Sequence, residues 1–438
     1  MKRLAVLILF FPLIVIAQNY TSYFTGNIVD TVTMPSGGIC LMGGATEDDN
    51  AMKWFLQNTN GGDVLVLRTS GTNGYNNYLY SGLGIPVNSV ETIVCNSAAA
   101  SNDAYVQQRI QQAEAIWFAG GDQWKYISYW RNTPVDSLIN DGIKQRHIVI
   151  GGTSAGMAIE GKYYFSAQNG TVTSTAALAN PFNSMVTVDS AAFISHAILN
   201  NVVTDTHFDN PDRRGRLCVF LARIFSDYGI YGKAIACDEY TAVCIDTTGN
   251  AKVFGGYPAY DDNAYFIQTN CELTNQAPEN CSSGNPLTWN LGGEALRVYQ
   301  VKGNASGQNT FDLNDWKTGA GGTWLNWSVN AGAFNSQNGN PINCNSSAIL
   351  ETKTDESWEV FPNPVEEQRT LTIRCKVQHT DTPDISLYNS NGQKVHFGLV
   401  KQNNNVYTLF FVNLTKGIYL LQINGNEHSY YTKKIILN

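Results

Sequence analysis

The stretch that decides the fold is HIVIGGTSAG, residues 147–156. An apolar segment with strand character leads into a glycine-rich turn, and a helix-compatible segment follows. A buried strand that ends in Gly-x-Ser-x-Gly is the nucleophile-elbow pattern, in which small neighbours let the chain turn sharply and hold the serine oxygen at the sheet edge. The alternative is a tight strand-to-helix turn with a capping serine. The pattern favours Ser154 as a nucleophile.

Around this stretch, short apolar segments alternate with helix-like segments from Gly37 to Cys244. Such alternation predicts an α/β fold, a doubly wound, mostly parallel sheet with helices on both faces. Ligands bind such sheets beyond the carboxyl ends of the strands, where this chain carries several paired glycines. The predicted strands are Gly38–Leu41, Asp63–Leu67, Val90–Cys95, Ala115–Phe118, His147–Ile150 and Lys233–Cys237, and the clearest helices are Asp49–Gln57 and Asp103–Ala113.

A serine nucleophile needs a base that accepts its proton, and three histidines lie in the α/β region. His207 follows an apolar run and opens a turn, which predicts a position at a strand end. His147 begins the strand before the elbow and should lie at the opposite end of the sheet, and His196 is interpreted as a packing residue. A carboxylate must then orient the imidazole. The candidates are Asp205, Asp209 and Glu239.

Polar and glycine residues near two other strand ends complete the candidate site. Gly120 and Gly121 follow the strand Ala115–Phe118, and the backbone N–H of Gly121 is predicted to stabilise an oxyanion together with that of Ala155. An ordinary strand-ending turn is the alternative. Three arginines after His207 either bind a substrate carboxylate or begin a solvated helix, and the sequence leaves both interpretations open. They are Arg213, Arg214 and Arg216.

The composition excludes some classes of partner. The net charge is −8 and only 15% of residues are charged, with no basic stretch, which argues against nucleic acid. The nine cysteines and six histidines show no zinc-site spacing, so neither a metal nor another cofactor is expected. Most cysteines lie in apolar runs and are predicted to be buried. Cys271 and Cys281 flank a short Asn/Pro/Gly-rich loop and could form a disulfide in an oxidising compartment.

The N-terminus predicts export. Lys2 and Arg3 precede an apolar run from Leu4 to Ile16, and the small residue Ala17 follows, which is typical of a signal peptide cleaved before Gln18. The run is shorter than the roughly 20 residues that span a bilayer, and no later segment is long enough, so no membrane span is expected in the mature chain. The predicted organisation is a signal peptide 1–17, an α/β domain 18–248, an Asn/Gly/Trp-rich extension 249–350 packed on it, a linker 351–357 and a small β-sandwich 358–438.

Two regions after the α/β domain allow alternatives. The extension carries four tryptophans, which are predicted to be buried rather than to form a sugar-binding surface. The last block alternates apolar and polar residues in short runs separated by turns, which is typical of a β-sandwich. Its strands are expected at Asp384–Tyr388, Gln393–Phe397, Val406–Val412, Gly417–Ile423 and Tyr430–Leu437.

Five ordered motifs between residues 118 and 242 resemble the cyanophycinase branch of the S51 serine peptidases, and a glycine turn at 43–45 resembles that family's first one. The resemblance implies a fold like that of class I glutamine amidotransferases, with serine in place of cysteine. It also implies a triad of Ser154, His207 and Glu239, and substrate-binding positions at Gln123, Asp205, Arg213 and Arg216. The motifs are FAGGDQ (118–123), GGTSAG (151–156), DTHF (205–208), RGRL (214–217) and DEYTA (238–242).

The same resemblance implies a peptide substrate. Cyanophycinases act on a polymer of aspartate with arginine on each β-carboxyl and release β-aspartyl-arginine. Here Pro211 stands where the family usually carries arginine, and Thr206 where cyanophycinases often have glutamine. An isoaspartyl or Asp-containing peptide is therefore expected, with cyanophycin as one option. The rival hypotheses are a serine esterase or amidase and a non-catalytic binding module on a peptidase fold.

The last block resembles the type A sorting domain of the type IX secretion system. VFPNP (360–364) opens it, KGIY (416–419) follows, and KKII (433–436) lies at its end. The resemblance implies a partner in the type IX machinery, passage through the periplasm, and release or attachment at the cell surface. An adhesive β-sandwich is the alternative.

Overall fold

The computed structural model describes residues 18–190, 193–343, 358–366, 369–375, 384–389, 394–403, 405–411, 414–424 and 430–438. The chain divides into two compact units, residues 1–344 and 345–438. The predicted signal peptide 1–17 and the predicted linker 351–357 lie outside the described residues.

The first unit contains eighteen strands and eight α-helices in its described part. The strands are β1 Tyr20–Gly26, β2 Ile39–Met42, β3 Asp63–Arg68, β4 Ser89–Cys95, β5 Ala115–Phe118, β6 Val149–Thr153, β7 Tyr164–Phe165, β8 Val188–Asp189, β9 Val202–Asp205, β10 Lys233–Cys237, β11 Ala242–Ile245, β12 Asn250–Phe254, β13 Asn263–Thr269, β14 Leu296–Lys302, β15 Asn309–Asp312, β16 Gly319–Ala320, β17 Gly322–Asn330 and β18 Ala333–Asn338. The helices are α1 Asp49–Gln57, α2 Gly74–Asn77, α3 Ala104–Gln112, α4 Gln123–Trp130, α5 Pro134–Asp141, α6 Ala155–Ala158, α7 Ser174–Ala179 and α8 Arg214–Tyr228.

The first sheet confirms the predicted α/β fold class. Its strand order is β1-β4-β3-β5-β6-β2-β11-β12-β15-β16, and the central strands β4, β3, β5, β6 and β2 are all parallel. Each of these five is a short, mostly apolar strand that is almost completely buried, as strands covered on both faces must be. Antiparallel strands extend the parallel block at both edges.

Helices cover both faces of the parallel block. On one face, Phe55 of α1 packs edge-on against Trp117 of β5. On the other, Trp130 of α4 packs against Phe118, the next residue of the same strand. Neighbouring residues of one strand thus enter different cores, which is the period of two that a strand between two helix layers requires. The sheet is doubly wound.

A second sheet carries the strands that follow in sequence, and here the structure differs from the expectation. Lys233–Cys237 was expected in the mostly parallel sheet, but as β10 it pairs in parallel with β9 in a separate sheet of order β18-β17-β14-β13-β10-β9. The β10 side chains alternate between two cores, with Ile235 facing one and Ala236 the other. An apolar run predicts a buried strand but not which neighbour it pairs with.

Residues 249–343 extend both sheets. The strands β12, β15 and β16 continue the first sheet, while β13, β14, β17 and β18 continue the second. Trp289, Trp316 and Trp327 are buried at 1–3% exposure, and Trp324 packs partly buried against the first core, so the predicted burial of these tryptophans is confirmed.

The cysteine prediction is correct for burial and wrong for pairing. Cys95, Cys218, Cys237 and Cys244 are buried free thiols, as expected. Cys281 is also free and packs at the edge of the second core, whereas Cys271 is disulfide-bonded, so these two cysteines are not paired with each other. Proximity in sequence suggested the wrong pair because it does not fix which residues meet in the folded chain.

The second unit is a small β-sandwich. One sheet has the order β19-β20-β23-β22 and the other β21-β24-β25, and side chains from both, such as Leu371 and Leu421, share one core. Of the expected strands, Gln393–Phe397 is reduced to a bridge at Lys394 within its described part. The strands are β19 Trp358–Phe361, β20 Thr370–Cys375, β21 Asp384–Tyr388, β22 Gly398–Asn403, β23 Val406–Phe410, β24 Gly417–Asn424 and β25 Tyr430–Leu437. Within the described part of the chain, no helix meets the length and hydropathy that a membrane span requires.

Candidate active site

Ser154 lies on a strained turn between β6 and α6. Its backbone has φ 54° and ψ −116°, a conformation that L-residues rarely adopt. The turn is compact because glycine stands on each side. A Cβ at Gly152 would lie 2.6 Å from the Gly156 carbonyl carbon, and one at Gly156 would lie 2.2 Å from the Phe118 carbonyl oxygen. The Gly-x-Ser-x-Gly spacing is therefore a steric requirement of this turn.

The structure brings Ser154 and His207 together. The Ser154 Oγ lies 2.7 Å from the His207 Nε2. His207 lies two residues after the end of β9 and has φ 47°. Its backbone N–H donates to the Gly43 carbonyl at 2.7 Å. The imidazole side chain is 24% exposed. A base in hydrogen-bond contact with a serine at the sheet edge is the geometry that activates a hydroxyl nucleophile.

Glu239 completes the chain of contacts. Its Oε1 lies 2.6 Å from the His207 Nδ1, and its Oε2 accepts from the Asn210 Nδ2 at 3.3 Å. Burial acts to raise the pKa of Glu239, but the hydrogen bonds from His207 and Asn210 outweigh it and lower that pKa. The carboxylate is thus ionised, which favours the His207 tautomer with the proton on Nδ1 and leaves Nε2 to accept from Ser154.

The other two candidate carboxylates have different partners. Asp205 forms a buried, two-point ion pair with Arg216. Asp209 accepts the Glu239 backbone N–H through its Oδ1 at 2.9 Å. Of the three candidate carboxylates, Glu239 is the one that contacts the imidazole.

The predicted substrate-binding residues fall into two groups. Asp205 and Arg216 are 2% and 3% exposed and bind each other, so we interpret them as positioning β9 and α8 rather than contacting substrate. Arg213 is half-buried and donates to the Thr206 carbonyl at 2.9 Å; burial and then the charge of Arg216 lower its pKa to about 10. Gln123, the first residue of α4, is half-buried beside the Phe165 carbonyl.

The predicted oxyanion donors belong to two segments next to the serine. Ala155 is the first residue of α6, where a helix leaves its backbone N–H without an intrahelical acceptor. Gly121 follows Gly120, and a Cβ placed on Gly120 would lie 3.5 Å from the Ser154 Cβ. The turn at Gly120–Gly121 therefore adjoins the serine, as the prediction requires.

The two alternative histidines lie elsewhere. His196 is buried, and its Nε2 lies 2.7 Å from the carboxylate of the fully buried Glu160. His147 lies two residues before the start of β6, at the end of that strand opposite to Ser154.

Gly44 belongs to the glycine turn at 43–45 that the sequence singled out, but its contact with the His207 ring was not predicted. It has φ +118°, and a Cβ there would lie 2.4 Å from the His207 Cε1 and 2.5 Å from the Nε2. The Gly44 backbone therefore lies against the imidazole ring. Its carbonyl also accepts the Tyr240 N–H at 3.1 Å, so one turn supports both the imidazole and the segment that carries Glu239.

We expect Gly44→Ala to displace the imidazole and to lower activity about 100-fold, because misplacing a catalytic group by about 1 Å costs that much. The rate of labelling by a fluorophosphonate measures the effect. Gly170→Ala is the matched control, since Gly170 has φ +93° and open space where its Cβ would be. Equal labelling rates in the two variants would contradict the proposed contact.

Asp238, next to Glu239, is a buried carboxyl with an incomplete set of partners. Its Oδ2 accepts from the backbone N–H of Asn263 at 3.1 Å and from the side chain at 2.9 Å, while its Oδ1 has no hydrogen-bond partner among the described residues. Burial, with the charges of Asp209 and Asp262, outweighs these hydrogen bonds and raises the pKa of Asp238 to about 7.

This shift makes stability depend on pH. Between about pH 4 and pH 7 the folded state holds a proton that the unfolded state has lost, so the free energy of unfolding falls as pH rises, by up to about 4 kcal/mol. Asp238→Asn should remove that decline, as measured by urea unfolding at several pH values. The exposed Asp141→Asn serves as control. If the free energies of unfolding of Asp238→Asn and the parent differed by the same amount from pH 4 to pH 8, the raised pKa of Asp238 would be contradicted.

Fold and site together define a doubly wound α/β protein with a Ser-His-carboxylate contact chain at the carboxyl edge of its strands. Comparison with known proteins agrees with the motif resemblance. Residues 74–247 match the model of peptidase family S51, and residues 359–438 match that of the secretion system C-terminal sorting domain. Both resemblances found in the sequence are thereby confirmed.

Individual relatives are distant. The cyanophycinase of Trichormus variabilis is 24% identical over an alignment that covers 45% of this chain and 59% of that protein. The cyanophycinase of Geminocystis herdmanii is 29% identical over an alignment that covers 32% of this chain and 50% of that protein. The chain thus spans between half and three fifths of the length of these curated relatives. Among solved structures, a peptidase from an acI-B1 Actinobacterium is similar at 14% identity and a TM-score of 0.42, covering 64% of this chain and 98% of that one.

The match at the C-terminus implies secretion through the type IX system, to the cell surface or outside the cell.

Proposed function

We propose that this chain is a secreted serine-type peptidase of the cyanophycinase kind, which cleaves isoaspartyl or Asp-containing peptides. The observation that carries the proposal is the continuous contact from Ser154 Oγ through His207 to Glu239, with distances of 2.7 and 2.6 Å. These three residues stand in motifs that resemble the S51 family, and the family match covers Ser154, His207 and Glu239.

The reaction begins with proton transfer. His207 Nε2 takes the proton from Ser154 Oγ as the oxygen attacks the amide carbonyl. Glu239 stabilises the imidazolium that forms, because its carboxylate already accepts from Nδ1. Ser154 Oγ already lies in hydrogen-bond contact with His207 on its strained turn, so little reorganisation precedes the attack.

The tetrahedral intermediate is stabilised by backbone donors. In this proposal the N–H groups of Gly121 and Ala155 bind the developing oxyanion. His207 then donates its proton to the leaving amine, which leaves an acyl-enzyme on Ser154. Water attacks this ester with the same imidazole as base, and the free serine is restored.

The substrate is an acidic peptide in this proposal. Pro211 stands at the position where the family usually carries an arginine. Two residues later, Arg213 supplies a guanidinium close to the site. The carboxylates of Asp209 and Asp212 would weaken a pocket for anions, but both already have partners. Asp209 accepts the Glu239 N–H, and Asp212 pairs with Arg214 at 2.6 Å. Arg214 thereby offsets the charge of Asp212, and a carboxylate of the substrate meets Arg213 with one competing charge, that of Asp209, in place of two.

The test is product analysis on the full chain. We expect release of amines from isoaspartyl dipeptides, and of β-aspartyl-arginine from cyanophycin if that polymer is accepted. Ser154→Ala run in parallel shows whether the release depends on the serine. Labelling of Ser154 without release from any of these peptides would discard the substrate and leave an esterase or amidase. No labelling at all would contradict the enzyme and favour a binding module.

A further inference from the structure

Arg68, the last residue of β3, holds the loop that follows it. Its Nη1 donates to the Thr72 carbonyl at 2.9 Å, and its Nε donates to the Ser70 carbonyl. Gly71 lies between these two acceptors with φ +94°, and a Cβ there would lie 2.2 Å from the Arg68 Nη2. The guanidinium therefore fills the inner side of the loop at 70–72, which leaves no room for a side chain on Gly71.

This loop contacts the turn that carries the proposed oxyanion donor. The Ser70 Oγ lies 3.9 Å from the position that a Gly121 Cβ would take, and the Tyr126 hydroxyl lies 3.5 Å from the same position. Tyr126 in turn donates to the Ala119 carbonyl at 2.6 Å. The end of β3 is also tied to this turn directly, because the Ala119 N–H donates to the Leu67 carbonyl at 3.2 Å.

The charge of Arg68 is not neutralised by a direct partner. Among the described residues it forms no ion pair, and both of its hydrogen bonds go to backbone carbonyls. Its guanidinium carbon lies 6.0 Å from the centroid of the Tyr75 ring, whose hydroxyl donates to Glu47. A cation at this place favours negative charge that develops near Gly121, because fixed positive groups stabilise such charge.

We propose that Arg68 is a positioning residue for the oxyanion turn. It fixes the loop at 70–72 against Gly121, so that the Gly121 N–H points to the place where the oxyanion forms, and it adds positive potential there. The inference rests on the proposed function, because it assigns a role only if Ser154 attacks a carbonyl. It concerns the rate of the chemical step and not the binding of substrate.

Arg146 provides a matched control. Its guanidinium also donates to two backbone carbonyls, those of Ala113 at 2.8 Å and Ile110 at 2.9 Å. It precedes β6, at the end of that strand opposite to Ser154. Removing either arginine costs two hydrogen bonds to backbone, and only Arg68 contacts the loop beside Gly121. A purely structural role would therefore give both variants the same behaviour.

The experiment compares Arg68→Gln, Arg68→Lys and Arg146→Gln in the full chain. A fluorophosphonate gives the maximal rate of labelling and the apparent affinity separately, and thermal unfolding gives Tm. We expect Arg68→Gln to lower the maximal rate about 10- to 100-fold with little change in affinity, a smaller loss than removal of an oxyanion donor itself. Arg68→Lys should recover part of the rate, since it keeps the charge but not the planar fork. Arg146→Gln should label like the parent.

Two results would overturn the inference. One is an unchanged labelling rate in Arg68→Gln, and the other is an equal fall in rate for Arg68→Gln and Arg146→Gln at equal Tm. Either leaves the proposed function intact, because the parent is still labelled. Failure of the parent itself to be labelled contradicts the proposed function instead.

Discussion

Ser154→Ala is expected to lower turnover of a cleavable peptide by about 10⁴- to 10⁶-fold while the chain stays folded. The Oγ is the atom that attacks in the proposed reaction, and its only partner in the contact chain is the imidazole at 2.7 Å. Alanine removes the nucleophile and leaves the turn intact, since the flanking glycines carry its steric demands. Initial rates of amine release measure the loss, and circular dichroism with thermal unfolding shows that the fold is retained.

Ser128→Ala is the matched control for this variant. Ser128 lies exposed on α4, and its hydroxyl donates to the Lys125 carbonyl of its own helix, so its removal should change turnover less than about twofold. If Ser154→Ala retained the activity of the parent, a different residue would perform the attack and the proposed mechanism would be wrong.

Glu239→Gln should lower turnover by about 10³- to 10⁴-fold, the second largest effect we expect. The amide has nearly the same shape as the carboxylate, but it cannot stabilise an imidazolium. Its NH₂ group would also donate to His207 Nδ1 and place the proton on Nε2, where it faces Ser154. The change thus removes activity by reversing the tautomer of His207. It should not unfold the chain, because Glu239 is partly exposed.

The readout for Glu239 is the pH dependence of kcat/KM together with the rate itself. Hydroxide can replace part of the missing base at high pH, so the residual activity of Glu239→Gln should keep rising with pH above the range where the parent levels off. Glu279→Gln provides a control of the same chemical change on an exposed carboxylate that bonds two backbone N–H groups. Parent-like activity in Glu239→Gln would assign the orienting role to another group.

Much of the fold could be predicted from the sequence because the signals are local. The parallel strands are short and mostly apolar, several of them end in glycine turns, and their bounds in the structure agree with the predicted ones to within two or three residues. Ser154 and His207 could be located for the same reason, since each follows a strand at the edge where ligands bind. The motif around Ser154 is moreover a steric signature, because its glycines are needed where the turn meets the Phe118 carbonyl.

The remaining features depend on contacts between distant residues. The pairing of β10 with β9 rather than with the first sheet, and the ion pair of Asp205 with Arg216, join segments whose meeting no local pattern specifies. Cys281 is free for the same reason, although Cys271 lies close to it in sequence. Asn210 and Gly44 are similar cases: each contacts the site residues through its position in the fold, and neither residue type alone indicates a role.

Two arginines that the resemblance assigns to substrate binding have different surroundings in the structure. The resemblance treats Arg213 and Arg216 alike, as neighbours on one motif. The structure separates them, because Arg216 is fully engaged with Asp205 while Arg213 is half-buried beside the Thr206 carbonyl. Arg213 is therefore the better candidate for direct contact with an acidic substrate, and Arg216 for holding β9 and α8 in place.

The most direct test of the central claim is to label the full chain with a fluorophosphonate and to map the modified residue by mass spectrometry of peptides. The mechanism predicts one labelled site, Ser154, with no label in Ser154→Ala and slow labelling in Glu239→Gln. Label on another serine, or equal labelling of the parent and Ser154→Ala, would contradict the assignment of Ser154 as the nucleophile.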